Sequence, residues 1–305
     1  MAAVELDCVS KAYGRKIAVH ELSLRIDPGE IFGLLGPNGA GKTSSIRMMI
    51  GITLPDSGMV RLFGEVFRRD LLRRVGYLPE ERGLYKRMKT LDQLVFLGRL
   101  HGLSRADAEK RARFWAEKLG LTESLEKKTA ELSKGLQQKV QFIAALLHEP
   151  DLIIMDEPFT GLDPLNSNLL EATLLELRRA GRAILFSTHR MDQVEKLCDS
   201  ICLVNHGQAV LSGSMREVKS RYPMDRIALA FAGDRSFLED PSIVEVKDCG
   251  NHLEVKLRDQ ADPQRILHLA AAGARISRFE LMEPSLEEIF IHAVGGIAAK
   301  EKTDG

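Results

Sequence analysis

The chain has 305 residues, 44% hydrophobic and 28% charged, which leaves room for two domains of ordinary soluble composition or one large one. Its 43 basic and 43 acidic residues cancel, a balance that argues against a dedicated nucleic-acid binder. Cys8, Cys198, Cys202 and Cys249 lack paired Cys-x₂-Cys spacing and are too sparse for a disulfide framework, so reduced thiols in a cytoplasmic protein are expected, with neither signal peptide nor membrane span.

In chain order, residues 1–35 alternate short apolar runs (Val4-Glu5-Leu6, Ile17-Ala18-Val19, Leu22 to Ile26) with turn signals, which predicts a strand-rich start. Glu30 to Leu35 reads as a buried strand leading into Gly36-Pro37-Asn38-Gly39-Ala40-Gly41-Lys42-Thr43. That octet fits G-x-x-x-x-G-K-[ST], and Ser44 to Ile50 opens a helix behind it, closed by Gly51. Gly39 and Gly41 let successive backbone N–H groups curl around one anion, and the helix N-terminus and Lys42 add positive charge. The residues from Gly36 to Ser44 are therefore the expected phosphate cradle, with the Thr43 hydroxyl the expected Mg²⁺ ligand.

A turn at Pro55 to Gly58 precedes strand candidates at Met59–Gly64 and Val75–Leu78. Residues 90–145 turn to helical periodicity, including an amphipathic helix from Ala106 to Leu119 whose Trp115 is expected in the core. Buried strands return at 151–155, 183–186 and 201–204, separated by helices at 166–180 and 191–198, so the fold class is α/β with a mostly parallel sheet. After Tyr222-Pro223 come short strands at 227–231, 243–246 and 253–257, a helix at 263–272, a strand at 274–281 and a helix at 285–293. This predicts a small α+β domain over 221–294, followed by a polar tail at 295–305.

Leu152-Ile153-Ile154-Met155-Asp156-Glu157 is a buried strand ending in two carboxylates, at the end where α/β ligand sites lie. Asp156 would hold Mg²⁺ and Glu157 would deprotonate an attacking water. Just upstream, Leu132-Ser133-Lys134-Gly135-Leu136-Gln137 resembles the signature sequence of the ATP-binding-cassette (ABC) ATPases.

The resemblance covers residues 1 to about 220 and implies a P-loop NTPase of ABC type, with an antiparallel β subdomain and a helical subdomain near 88–145. It implies Tyr13 as the adenine-stacking aromatic and Glu80 in the place of the Q-loop glutamine, at Mg²⁺. Asp163 falls in the D-loop, His189 is the γ-phosphate switch, and Ser133 and Gly135 contact ATP held by the opposite subunit. The cofactors so implied are ATP and Mg²⁺. The partners are an integral-membrane permease and a second ATPase subunit, the same or a paired one, with no nucleic acid. The chain would sit in the cytoplasm, peripheral to the inner face of the membrane.

Lys134, Leu136 and Glu80 depart from the family pattern, while Pro284 to Phe290 resembles the ending of ATPases from sodium- and drug-exporting systems. The resemblance implies a subunit of an exporter. An ABC-type ATPase acting on nucleic acid or the ribosome is the alternative; such chains usually carry two cassettes and basic tails. A small-molecule P-loop kinase would leave Ser133, Gly135 and His189 unexplained. No sequence feature names a cargo.

Overall fold

The computed structural model describes residues 1–81, 83–258 and 261–301. The chain divides into two compact units, Met1–Met215 and Arg216–Gly305.

The first unit starts with a long hairpin, β1 (Val4–Tyr13) and β2 (Lys16–Ile26), paired from Val4↔Ile26 to Tyr13↔Lys16 and turning at Gly14, φ +61°. β3 (Ile31–Leu35) is buried throughout and feeds α1 (Lys42–Met49). β4 (Ser57–Leu62) pairs back on β1, and β5 (Glu65–Val66) on β4, completing an antiparallel sheet in the order β2-β1-β4-β5. β6 (Val75–Leu78) precedes three helices, α2 (Thr90–Leu100), α3 (Arg105–Lys118) and α4 (Lys134–Leu146). Then follow β7 (Leu152–Asp156), α5 (Pro164–Arg179), β8 (Ala183–Thr188), α6 (Met191–Leu197), β9 (Ser200–Asn205) and β10 (Gln208–Ser214).

These strands form a second sheet, β10-β9-β3-β8-β7-β6, parallel except for the edge strand β10. β3, β7 and β8 are buried at every position because both sheet faces are covered, which is why they read as continuous apolar runs. Val4, Leu6, Leu24 and Leu62 of the antiparallel sheet share one core with Leu34, Ile46, Ile154 and Leu185. The register sets Leu35 opposite Thr188 and Asp156 opposite Ser187. Whatever follows β3, β7 and β8 therefore emerges together along one edge of the sheet.

The helical region is built around small residues. Ala108, Ala112 and Ala116 recur every four positions on the buried face of α3, and a Cβ at Gly98 of α2 would come within 3.0 Å of Ala108 Cβ. Trp115 lies beside that stripe and is only half-buried, edge-on to Phe114 with Lys118 Nζ 5.3 Å from its ring. The expectation of a core tryptophan is corrected: alanine makes the close contact here.

The second unit opens with α7 (Met215–Ser220). β11 (Arg226–Gly233), β12 (Ile243–Asp248), β13 (Leu253–Leu257) and β14 (Ala274–Met282) form an antiparallel sheet in the order β12-β13-β11-β14. Ile266 and Ala270 of α8 (Pro263–Gly273) pack with Ile227, Leu229, Val255 and Leu257. α9 spans Leu286–Glu301, so the segment expected as a tail from 295 is helical through 301; residues 302–305 lie outside the described residues.

Candidate functional site

The loop after β3 is confined by its surroundings. Gly36 has φ +147°, and a Cβ there would lie 2.1 Å from Val204 O; at Gly41, φ +113°, a Cβ would lie 2.4 Å from Ala18 O. Neither position admits a side chain, so the chain must wrap tightly between β9 and β2 before α1 begins. Lys42 is buried, and its Nζ donates to Gly36 O at 2.6 Å and Pro37 O at 3.2 Å. Burial lowers the lysine's pKa, against the opposing pull of the Glu157, Asp156 and Glu80 carboxylates.

Asp156 ends β7 and is 1% exposed. Its Oδ2 accepts from Thr43 Oγ1 at 2.9 Å, and its Oδ1 accepts from Ser187 Oγ. Glu157, the next residue, is 9% exposed and adopts φ +50°, an unusual conformation for a non-glycine residue. Its N–H donates to Ser187 O at 3.0 Å. Its carboxylate meets Thr188 Oγ1 at 3.2 Å and His189 Nδ1 at 2.8 Å. Two adjacent carboxylates are thus turned to separate tasks, one toward the phosphate loop and one toward His189.

A cavity of ≈ 430 Å³ is lined by Tyr13, Asn38 to Ser44, Glu80, Asp156 and Glu157, together with Lys16 and Ala18. Tyr13, at the tip of β1, is 43% exposed. Ser133, Gly135, Asp163 and His189 do not line it. Ser133 caps α4, its Oγ accepting from Leu136 N at 3.3 Å, and a Cβ at Gly135 would lie 3.2 Å from Gly161 O. Asp163 caps α5 through Asn166 N at 2.9 Å; that bond and a second from the Asn166 side chain hold its carboxyl pKa down.

Two contributors are not read from the sequence as site residues. Ser187 and Thr188 are the first polar residues of an otherwise apolar β8; the strand register sets Ser187 beside Asp156, and Thr188 reaches Glu157 through its side chain. Tyr77, half-buried on β6, does not line the cavity, but burial and then the Asp156 charge push its phenol up to about 12.

The sequence profile described as "ABC transporter" matches residues 19–160, and that of the "ATP-binding protein DrrA1-3-like, C-terminal domain" matches residues 213–294. The uncharacterized ABC transporter ATP-binding protein YhaQ of Bacillus subtilis is 41% identical over 96% of this chain and 98% of its own length. The chain belongs to the ABC transporter ATP-binding proteins. As an ABC ATPase it binds ATP, and hydrolysis of ATP is characteristic of the family.

The linearmycin resistance ATP-binding protein LnrL of Bacillus subtilis is 34% identical, covering 96% of this ABC ATPase and 98% of itself. The Nod factor export ATP-binding protein I of Paraburkholderia xenovorans is 39% identical, over 70% and 71% of the two chains. The solved structure of an ATP-binding subunit of an ABC transporter superposes with a TM-score of 0.66 at 32% identity, covering 72% of this chain and 92% of that one. Among the described residues no helix is long and apolar enough to cross a membrane. ABC ATPase subunits of transporters work with membrane permease components.

Proposed function

We propose that this ABC ATPase powers export through a separate integral-membrane permease, by ATP-driven closure of a two-subunit sandwich. The carrying observation is Glu157, held by Thr188 and His189 at the edge of the cavity that Thr43 and Asp156 close.

Tyr13 stacks on the adenine at the cavity mouth. The backbone N–H groups from Gly36 to Ser44 and the Lys42 ammonium bind the phosphates, which compete with the loop carbonyls for Lys42. Thr43, Asp156 and Glu80 suit Mg²⁺: they offer hard oxygen donors, and the buried Asp156 carboxylate already converges with the Thr43 hydroxyl. A Mg²⁺ ion held by these residues would neutralise phosphate charge. Glu157 takes the proton of the attacking water, and His189 orients Glu157 and reports the γ-phosphate.

Ser133 and Gly135 lie away from the chain's own cavity on the capped start of α4, which supports their acting on ATP held by a second subunit, with Asp163 in the same interface. An apolar groove of ≈ 400 Å³, lined by Ile50, Ile52, Leu72, Tyr77, Leu84 and Leu97, supports a permease contact. Export is supported by the names of the resistance and Nod factor relatives. The ATPase would then work peripherally on the cytoplasmic face of the membrane.

The shared-site reading is tested by complementation. Lys42→Ala and Ser133→Arg subunits are each expected to be inactive, while a mixed dimer regains ATPase activity from its one intact site. Heterodimers that form and stay inactive would contradict it.

A further inference from the structure

A different set of ligand-type side chains sits in the second unit, on the hairpin that joins β12 to β13. The ladder closes at Asp248↔Leu253, and Cys249 N donates to His252 O at 3.0 Å, so residues 249–252 make a tight tip. Gly250 supplies the left-handed step, φ +85°, and its N–H donates to Asp248 Oδ1 at 2.7 Å. Glu254 follows His252 by two positions at the start of β13, where alternate residues share a sheet face. One ligand atom from each of Cys249, His252 and Glu254 lies within 4.8 Å of the others, the one such trio found among the described residues.

The donor set is a thiol, an imidazole and a carboxylate. Hard cations such as Mg²⁺ prefer oxygen alone, whereas a mixed sulfur, nitrogen and oxygen set suits a borderline-soft transition metal. Metal–ligand bonds of about 2.0–2.3 Å need the three atoms somewhat closer than this spacing allows at its limit. Side-chain rotation at the exposed Cys249 can close that gap without moving the ladder. In His252, Nδ1 lies 2.6 Å from Asn251 Oδ1, an acceptor, so Nδ1 carries the proton and the Nε2 lone pair is left for a metal. Partial desolvation and the hydrogen bond to Glu254 raise the Cys249 pKa, and a bound cation would displace that thiol proton to solvent. Lys247 Nζ stands 3.6 Å from Glu254 and is the cation with which a metal would compete.

We propose that Cys249, His252 and Glu254 form a binding site for a thiophilic divalent transition metal of the Zn²⁺ class, with a fourth position open to water. The site shares no residue with the nucleotide cavity and adds a metal-responsive element to the second unit.

The test is a Co²⁺ titration of the reduced, untagged full-length chain, followed by displacement with Zn²⁺. One Co²⁺ per chain is expected, with the thiolate-to-cobalt charge-transfer band, bleached by stoichiometric Zn²⁺. Cys249→Ser should abolish the band, and Cys8→Ser, at the other exposed cysteine, should leave it intact. His252→Ala and Glu254→Gln should each weaken the dissociation constant at least tenfold, with melting temperatures near that of the natural chain showing that the variants fold. No charge-transfer band in the natural chain would overturn the proposal. So would a band that survives Cys249→Ser, or one whose titration is unchanged in both the His252 and Glu254 variants.

Discussion

His189 Nδ1 lies 2.8 Å from Glu157 Oε1, which joins the residue that follows β8 to the residue that follows β7. Glu157 also accepts from Thr188 at 3.2 Å, and its backbone is fixed at φ +50° by the bond to Ser187 O. The carboxylate is therefore aimed by β8 as much as by its own strand. His189→Ala should lower turnover by about 10²-fold, the scale of a mispositioned general base, while ATP affinity stays within about threefold. A rapid-mixing measurement of the hydrolysis step separates the two effects. An unchanged step would remove His189 from the positioning of Glu157.

Glu80 lines the cavity with Asp156 and brings a full negative charge where the family pattern has an amide. That charge should weaken ATP binding when Mg²⁺ is scarce and strengthen the metal-bound complex. The natural chain is expected to show a steeper dependence of ATP affinity on Mg²⁺ than Glu80→Gln. Hydrolysis in the variant should remain within about tenfold, since the amide oxygen is still a hard donor. Superimposable titrations would mean that Glu80 does not reach the metal.

His148 stacks on His101 with ring centroids 3.8 Å apart and 10° between planes. Its Nε2 lies 3.0 Å from Val75 O. Burial, and then the neighbouring His101, move its pKa from 6.5 to about 4. The folded state thus holds the neutral ring more strongly than the unfolded chain does. The resulting stability is fully present above pH 6.5 and is lost as pH falls toward about 4. Melting temperatures of the natural chain should drop across that window, and those of His148→Gln should drop less. Parallel curves would show that the stack does not set the acid limit.

What the sequence reveals and what it hides follow from range. The phosphate loop is legible because its glycines, lysine and threonine act within one turn, and β3 and β7 are legible because parallel strands covered on both faces are apolar throughout. Ser187 as a partner of Asp156 is not legible: it depends on the β7–β8 register across 31 residues of chain. Trp115 misleads because size suggests burial, while the helix contact is made by Ala108, Ala112 and Ala116. β10 is not legible because its alternation is broken at Gly213 and only Leu211 is buried along it.

Closure of an ATP sandwich before Glu157 acts is read out by gel filtration of Glu157→Gln with and without MgATP. The amide keeps the side chain's shape but cannot take the water's proton, a loss of about 10² to 10⁴ in rate. A monomer is expected without nucleotide and a stable dimer retaining two ATP molecules with it, the dimer being lost again when Ser133→Arg is added. A variant that stays monomeric with ATP bound, or hydrolyses at the natural rate, would contradict it.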